Sequence, residues 1–218
     1  FGVTTPGAQS AASVTTDIPV VFAPVTDPVG AGLVTNLNQP GGNVTGITNG
    51  NPHPLRMQFL FELDPSIETI YAPYNPESPP AIMTYDTIQA VVDEQNARLI
   101  APAVTTMTEI REAMMTIPDA TDAIFIIPDP LIANYSRQIA QIAIARQIPF
   151  VSLSRNEVEE GALMAYGEEL DEVAAQVARM VDAIYRGSDP ADMPVETVEF
   201  FLSLNLDTAD RIDLTVPA

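Results

Sequence analysis

IPVVFAPVTDPVGAGLVTNLNQPGGNVTG, residues 18–46, is the stretch whose reading decides the fold. Ile18–Ala23 reads as a buried strand, the turn after it carries Asp27-Pro28, and the residues that follow predict a short helix near Gly30–Leu37. A glycine hairpin at Pro40-Gly41-Gly42 then leads to a second strand, Val44–Ile47. Strand, polar turn and helix in that order set Asp27 at the carboxyl end of a strand. In open α/β sheets that is where ligands sit.

Outward from this segment the chain alternates helix and strand. Thr5–Val14 reads as a helix with Pro6 in its first turn. Apolar residues at 55, 59, 60 and 63 predict a helix over Pro54–Leu63 that ends before Asp64-Pro65. Strands are expected at Glu68–Ala72, Leu99–Ala103, Ala123–Ile127, Pro149–Leu153 and Ala162–Tyr166, with helices at 82–97, around 110–117 and across 132–146. AIFII, residues 123–127, is an unbroken apolar run, the type buried on both faces of a sheet. Leu170, Val173, Ala174, Val177, Met180, Val181, Ile184 and Tyr185 fall on one helical face, with Gly187 as a stop signal. A strand near Val195–Leu202 and a helix over Asp207–Ile212 complete the series. Strands separated by helices of this length argue for βαβ units and mostly parallel sheets.

The chain has 218 residues, 29 acidic against 9 basic, and all nine basic residues are arginine. A net charge of −20 makes nucleic acid and anionic membrane surfaces poor partners, because both are bound through positive charge. The acids read first as a solubilising surface and second as an attraction for a cationic ligand. Cysteine and lysine are absent, which excludes disulfides, thiolate metal sites and lysine Schiff bases. No apolar run approaches 18 residues, so nothing is expected to span a membrane. The first residues, FGVTTPGAQS, carry no charged n-region and no apolar h-region.

Catalytic and cofactor signals are weak. His53, between Pro52 and Pro54, is the only histidine and reads as an exposed residue at a helix start. There is no glycine-flanked serine elbow, no HExxH and no GxGxxG opening a helix, so no enzyme, cofactor or metal is expected. Asn43-Val44-Thr45 and Asn134-Tyr135-Ser136 fit glycosylation sequons, which arise easily by chance.

The opening segment, Tyr74-Asn75-Pro76, Ile148-Pro149, Gly161-Ala162-Leu163 and Pro190-Ala191-Asp192-Met193-Pro194-Val195-Glu196 together give a resemblance. From about Thr4 to Pro217 the chain is similar to the substrate-binding proteins of ABC importers, in the branch that includes aromatic amino-acid binders. The resemblance implies α/β architecture, with two lobes of the type I periplasmic-binding fold and parallel sheets flanked by helices. A small molecule (amino-acid-like or a small organic acid) would be held in the cleft without chemical conversion and presented to an ABC permease. An extracytoplasmic location follows. Lobe boundaries are expected at 1–51 plus 168–190 and at 52–167 plus 191–218. Relatives begin with further βα units, so the first lobe is expected to be incomplete. An N-terminal stretch outside this sequence could carry a lipid anchor. The alternative is a ligand-sensing module of a receptor or regulator with the same fold. An α/β enzyme acting on a nucleotide or sugar is the third class.

Candidate ligand-binding residues lie where loops leave strands. In the first lobe they are Thr5, Pro6 and Gln9 at a helix start, and Asp27 in its turn. Free N–H groups at a helix start can hold a carboxylate, and Asp27 could pair with an ammonium. Thr5 and Asp27 read equally well as plain caps. In the second lobe the candidates are Tyr74, Asn75 and Ser78, then Asp129, then Ser152 and Ser154. Tyr74 could stack on a ligand or belong to the core. Asp129, within Pro128-Asp129-Pro130, aligns with a family acid and also makes a rigid turn. Relatives often carry Asn-Ser in place of Pro80-Ala81, Asn-Thr in place of Pro130-Leu131 and an acid in place of Ser154. Each change removes a hydrogen-bonding group or a charge. The ligand is therefore expected to be more apolar, or differently charged, than that of the amino-acid binders.

Overall fold

The computed structural model describes residues 1–217. The chain divides into two compact units. Unit 1 is Phe1–Asn51 with Glu168–Phe200, and unit 2 is Pro52–Gly167 with the chain from Phe201 onward. Ala218, the last residue of the segment expected in the second lobe, lies outside the described residues.

Unit 1 opens with strand β1 (Gly2–Val3), helix α1 (Thr4–Ser13), β2 (Val20–Val25) and β3 (Val44–Thr48). In β2 the side chains alternate between faces. Val20, Phe22 and Val25 join a cluster with Ala8, Leu33, Val34 and Val44. Val21 and Ala23 join Ile47 on the other side. Pro24 lacks an N–H, and the β2–β3 register slips between Phe22 and Val25. Gly46 is required where β3 passes β2, since a Cβ there would stand 2.2 Å from the Phe22 carbonyl oxygen.

No helix forms at Gly30–Leu37. The chain makes successive turns instead, with Ala31 N–H donating to Asp27 O, Gly32 N–H to Val29 O and Leu33 N–H to Pro28 O. Gly32 sits at φ +70, a conformation that ends a right-handed turn. Nor is Pro40-Gly41-Gly42 a hairpin: it leads into a strand parallel to β2, an arrangement that no tight turn can close.

Unit 2 runs through α2 (His53–Leu63), β4 (Thr69–Tyr71), α3 (Pro79–Glu94), β5 (Arg98–Ile100), α4 (Met107–Met115) and β6 (Ala123–Phe125). It continues with α5 (Pro130–Ala133), α6 (Ser136–Arg146), β7 (Phe150–Ser152), α7 (Arg155–Glu159) and β8 (Met164–Glu168). The helix expected across 132–146 is thus two helices, broken at Asn134 and Tyr135, with the Ser136 hydroxyl donating back to Ala133 O. In α2 the buried residues are Arg56, Met57, Leu60 and Phe61, one step out of phase with the stripe at 55, 59, 60 and 63.

The chain then returns to unit 1 with α8 (Leu170–Tyr185), a 3₁₀ turn at Pro190–Asp192 and β9 (Glu196–Thr197). It ends in unit 2 with β10 (Phe200–Leu204) and α9 (Leu206–Arg211). The strand expected near Val195–Leu202 is therefore two strands in two sheets. Residues 191–200 lie in unit 1 because β9 pairs with β3.

The sheet of unit 1 has the order β1-β2-β3-β9 and that of unit 2 the order β10-β8-β7-β6-β4-β5. The pairs β4–β5, β4–β6, β6–β7 and β7–β8 are all parallel. Alternation puts Ile70, Phe125, Val151 and Met164 in one core of unit 2, and Tyr71, Ile124, Phe150 and Ala165 in another. On α8, Val173 and Met180 are buried, but Leu170 and Tyr185 at its ends are exposed. None of the described helices is long and apolar enough to cross a membrane.

Candidate functional site

In unit 1 the candidates lie at the carboxyl ends of β1 and β2. Helix α1 starts directly after β1, with Val3 at its N-cap and no side-chain cap. Thr5 is therefore inside the first turn and is not the cap. Pro6 follows it there, so that turn presents backbone N–H groups with no hydroxyl or carboxylate cap upon them. Gln9 lies about one turn on, and its Nε2 donates to Ala31 O at 2.9 Å, fastening α1 to the turns after β2. Asp27 is exposed and accepts the Gly30 N–H at Oδ1, 2.8 Å away. Gly30 is a residue that sequence reading missed in this role: a Cβ there would lie 2.0 Å from Asp27 Oδ2. At the end of β2, Thr26 donates to Asn49 Oδ1 at 3.1 Å, tying that end to the chain leaving β3.

In unit 2 two candidates far apart in sequence meet. Asn75 Nδ2 donates to Asp129 Oδ2 at 3.0 Å, since β4 and β6 are neighbours and both residues follow their carboxyl ends. Asp129 is 6% exposed, caps α5 and accepts the Leu131 N–H at 2.8 Å. Its carboxylate thus has donors on both oxygens. Asn75 also accepts the Glu77 N–H, which fixes the turn before α3. Ser78 is the N-cap of α3 and its side chain makes no cap bond. The Tyr74 ring is stacked on Tyr85 with centroids 4.9 Å apart, while its backbone pairs with the segment after β5.

Ser152 stands apart from the others. It has no exposed surface, and its hydroxyl donates to Met164 O at 3.3 Å. Alternation puts its side chain on the same face of β7 as that of Phe150. Ser154 caps α7, and Glu157 Oε2 accepts from its N–H (2.9 Å), its hydroxyl (3.2 Å) and the Leu153 N–H (2.8 Å).

Sequence reading also missed the groups beneath these loops. Arg56 is fully buried, and its guanidinium lies 4.2 Å from the centroid of the Phe125 ring. Desolvation pushes its pKa down to about 9, partly countered by Glu157, so it remains a cation at neutral pH. His53 is half-buried, not exposed as expected. Its pKa is lowered to about 2, first by burial and then by the charge of Arg56. Met57, Leu60 and Phe61 carry the signal that could have located Arg56, because their spacing puts residue 56 on the same buried face. Among the described residues no group of three or more His, Asp or Glu could hold a metal ion.

Comparison with known proteins follows the same lines. The model of the family described as ABC transporter substrate binding protein matches residues 1–218. The chain is 26% identical over 215 residues to a tyrosine-binding protein of Clostridioides difficile, covering 98% of this chain but 62% of that protein. The ABC domain of a Streptococcus pneumonia protein, solved in complex with L-Trp, superposes with a TM-score of 0.81 at 28% identity. It covers 99% of this chain and 74% of that one. The ligand-free, open structure of a substrate binding protein with adhesive properties from Clostridium difficile gives a TM-score of 0.82 at 27% identity, with the same coverage of 99% and 74%. A glucose-galactose binding protein of Geobacillus stearothermophilus, at 15% identity and TM-score 0.64, shares the fold.

Proposed function

The chain belongs to the ABC transporter substrate binding protein family, and on that premise we propose that it is the solute-binding component of an ABC import system. It takes a small organic molecule outside the cytoplasmic membrane, leaves it chemically unchanged and delivers it to a permease. The observation that carries this reading is the Asn75–Asp129 pair: a nearly buried carboxylate held at the carboxyl end of a central strand, beside a stacked aromatic. Such a carboxylate orients a cationic or hydroxyl group on a ligand. The uncapped first turn of α1 suits a carboxylate by its free N–H groups. Thr5, Pro6, Gln9 and Asp27 in unit 1, with Tyr74, Asn75, Ser78, Asp129, Ser152 and Ser154 in unit 2, are the residues proposed to serve it.

The ligand is amino-acid-like or a small organic acid, with a larger apolar part than a free amino acid of the relatives. Half-buried Leu131 supports this, standing in the first turn of α5 next to the cap Asp129. Ser154 brings no charge of its own, and its hydroxyl is engaged by Glu157.

Calorimetric titration with L-tyrosine, L-tryptophan, L-phenylalanine and a panel of small carboxylic acids tests the reading. One member should bind at micromolar Kd or better, with Asp129→Asn weakening it at least tenfold. Tight binding of tryptophan or phenylalanine would remove the apolar refinement alone. Turnover of any ligand would remove the transport reading.

A further inference from the structure

We infer that Arg56 is the positioning residue of the loops in unit 2: from the interior it fixes where two adjacent strands stop pairing, and so where Asp129 and Ser154 stand. The inference rests on the binding reading above for its consequence, but not for its geometry.

β6 and β7 are parallel, with Ile124 N–H donating to Pro149 O and Ile126 N–H to Val151 O. The same ladder, continued by one step, would have Leu153 N–H donate to Ile126 O. That bond is replaced. Leu153 N–H donates instead to Glu157 Oε2 at 2.8 Å, and Ile126 O accepts from Arg56 Nη2 at 2.5 Å. Arg56 Nη1 donates to Ser152 O at 3.1 Å. Two opposite charges therefore divide the groups released where the strands part. The cation takes the carbonyls of Ile126 and Ser152, and the anion takes the N–H groups of Leu153 and Ser154. Ile126 lies three residues before Asp129, and Ser152 two before Ser154.

The arrangement is not what stability alone would favour. A buried guanidinium is costly unless it is paired and fully hydrogen-bonded. Among the described residues Arg56 has no contact salt bridge, and its Nε makes no hydrogen bond. Its compensation is two carbonyls, the face of Phe125 and the more distant charge of Glu157. An apolar side chain of similar length would fill the space without a buried charge. It could not hold the two carbonyls. Arginine's planar fork spans both at once, which a lysine ammonium does less well.

The test uses Arg56→Met and Arg56→Lys in the whole chain, read by hydrogen exchange and thermal unfolding. In Arg56→Met the amides of Leu131, Leu153 and Ser154 should exchange at least tenfold faster. Those of Ile70 and Ile124 should keep their rates, and Tm should fall by no more than a few degrees, since loss of the buried charge offsets the two carbonyls left without a donor. Arg56→Lys should lie between. Unchanged exchange in both loops would overturn the inference. A fall in Tm with loss of protection throughout unit 2 would overturn it too, since that marks a general structural strut. Should Arg56→Met fail to accumulate as folded protein, Arg56→Lys carries the same criteria. Titration with L-tyrosine separates the two claims. Loosened loops in a protein whose wild type binds neither L-tyrosine nor any small acid would leave the role of Arg56 standing and remove the transport reading.

Discussion

The two units use the same strand chemistry and cover it differently. In unit 2 both faces of β4, β6, β7 and β8 are buried, and β6 and β7 have partners on both sides. In unit 1 the sheet order is β1-β2-β3-β9, and the buried residues fall into two smaller clusters, one around Phe22 and one around Ile47. Its long helix α8 has two buried residues, Val173 and Met180. Alternating apolar residues thus build a sheet in both units, but only what lies over and beside that sheet makes it resist opening. Unit 2 should be the slower to exchange and unfold.

The largest test of this contrast is paired. Phe125→Ala in unit 2 is expected to cost about 4 kcal/mol, because it empties a central core site and removes the ring under Arg56. Phe22→Ala in unit 1 should cost about 3 kcal/mol, since it belongs to a smaller cluster. Urea denaturation followed through exchange of β2 and β6 amides reads both, and a larger loss from Phe22→Ala would reverse the ranking. Next, Gly46→Ala should destabilise unit 1 by about 2 kcal/mol while leaving β6 protection alone, as the added carbon meets the Phe22 carbonyl and ring.

A smaller effect concerns helix starts. In α4, Thr106 accepts from Glu109 N–H at 3.2 Å, and Glu109 Oε2 accepts from the Thr106 N–H at the same distance, whereas α1 has no side-chain cap. Thr106→Ala should cost about 1 kcal/mol and leave α4 without a side-chain cap, as α1 is, visible as faster exchange of its first turn.

The smallest is a pH effect. His53 is neutral in the folded state down to about pH 2, whereas the unfolded chain takes up its proton below about 6.5. Unfolded chain binding more protons means stability is full above pH 6.5 and falls as pH drops. Between pH 6.5 and 5.5 the loss should stay under about 1 kcal/mol. Unit 1 has no histidine, so the loss falls on unit 2 and narrows the gap between the units. His53→Gln should abolish that slope in urea midpoints measured across the range.

Much of the fold was legible because it is local. The runs VVFAPV and AIFII announce strands by β-branched and apolar content, and the stripe of α8 announces a helix. The turns after Asp27 were misread because apolar residues at 29, 31, 33 and 34 imitate helical spacing, while Gly30 and Gly32 set the backbone. The candidate residues were legible by their positions at strand ends but not by their partnerships. Asn75 and Asp129 meet only because β4 lies next to β6, and nothing in either loop encodes that order. The burial of Ser152 was not legible from its place at a strand end: by parity it shares its face of β7 with Phe150. Arg56 escaped because a charge in a sequence is read as surface.

The break between β9 and β10 is two residues long, Val198 and Glu199. It has a bearing on how the gene can drift. A deletion or insertion inside that spacer moves one of the two strands along its sheet. Val198 is buried and its N–H donates to Thr48 O, so the yielding side would be β10, with Leu204 and Asn205 carried out of phase. A change of length here would draw Leu204 from the core it packs against and Asn205 from its bonds to Val158 O and Thr208 N–H.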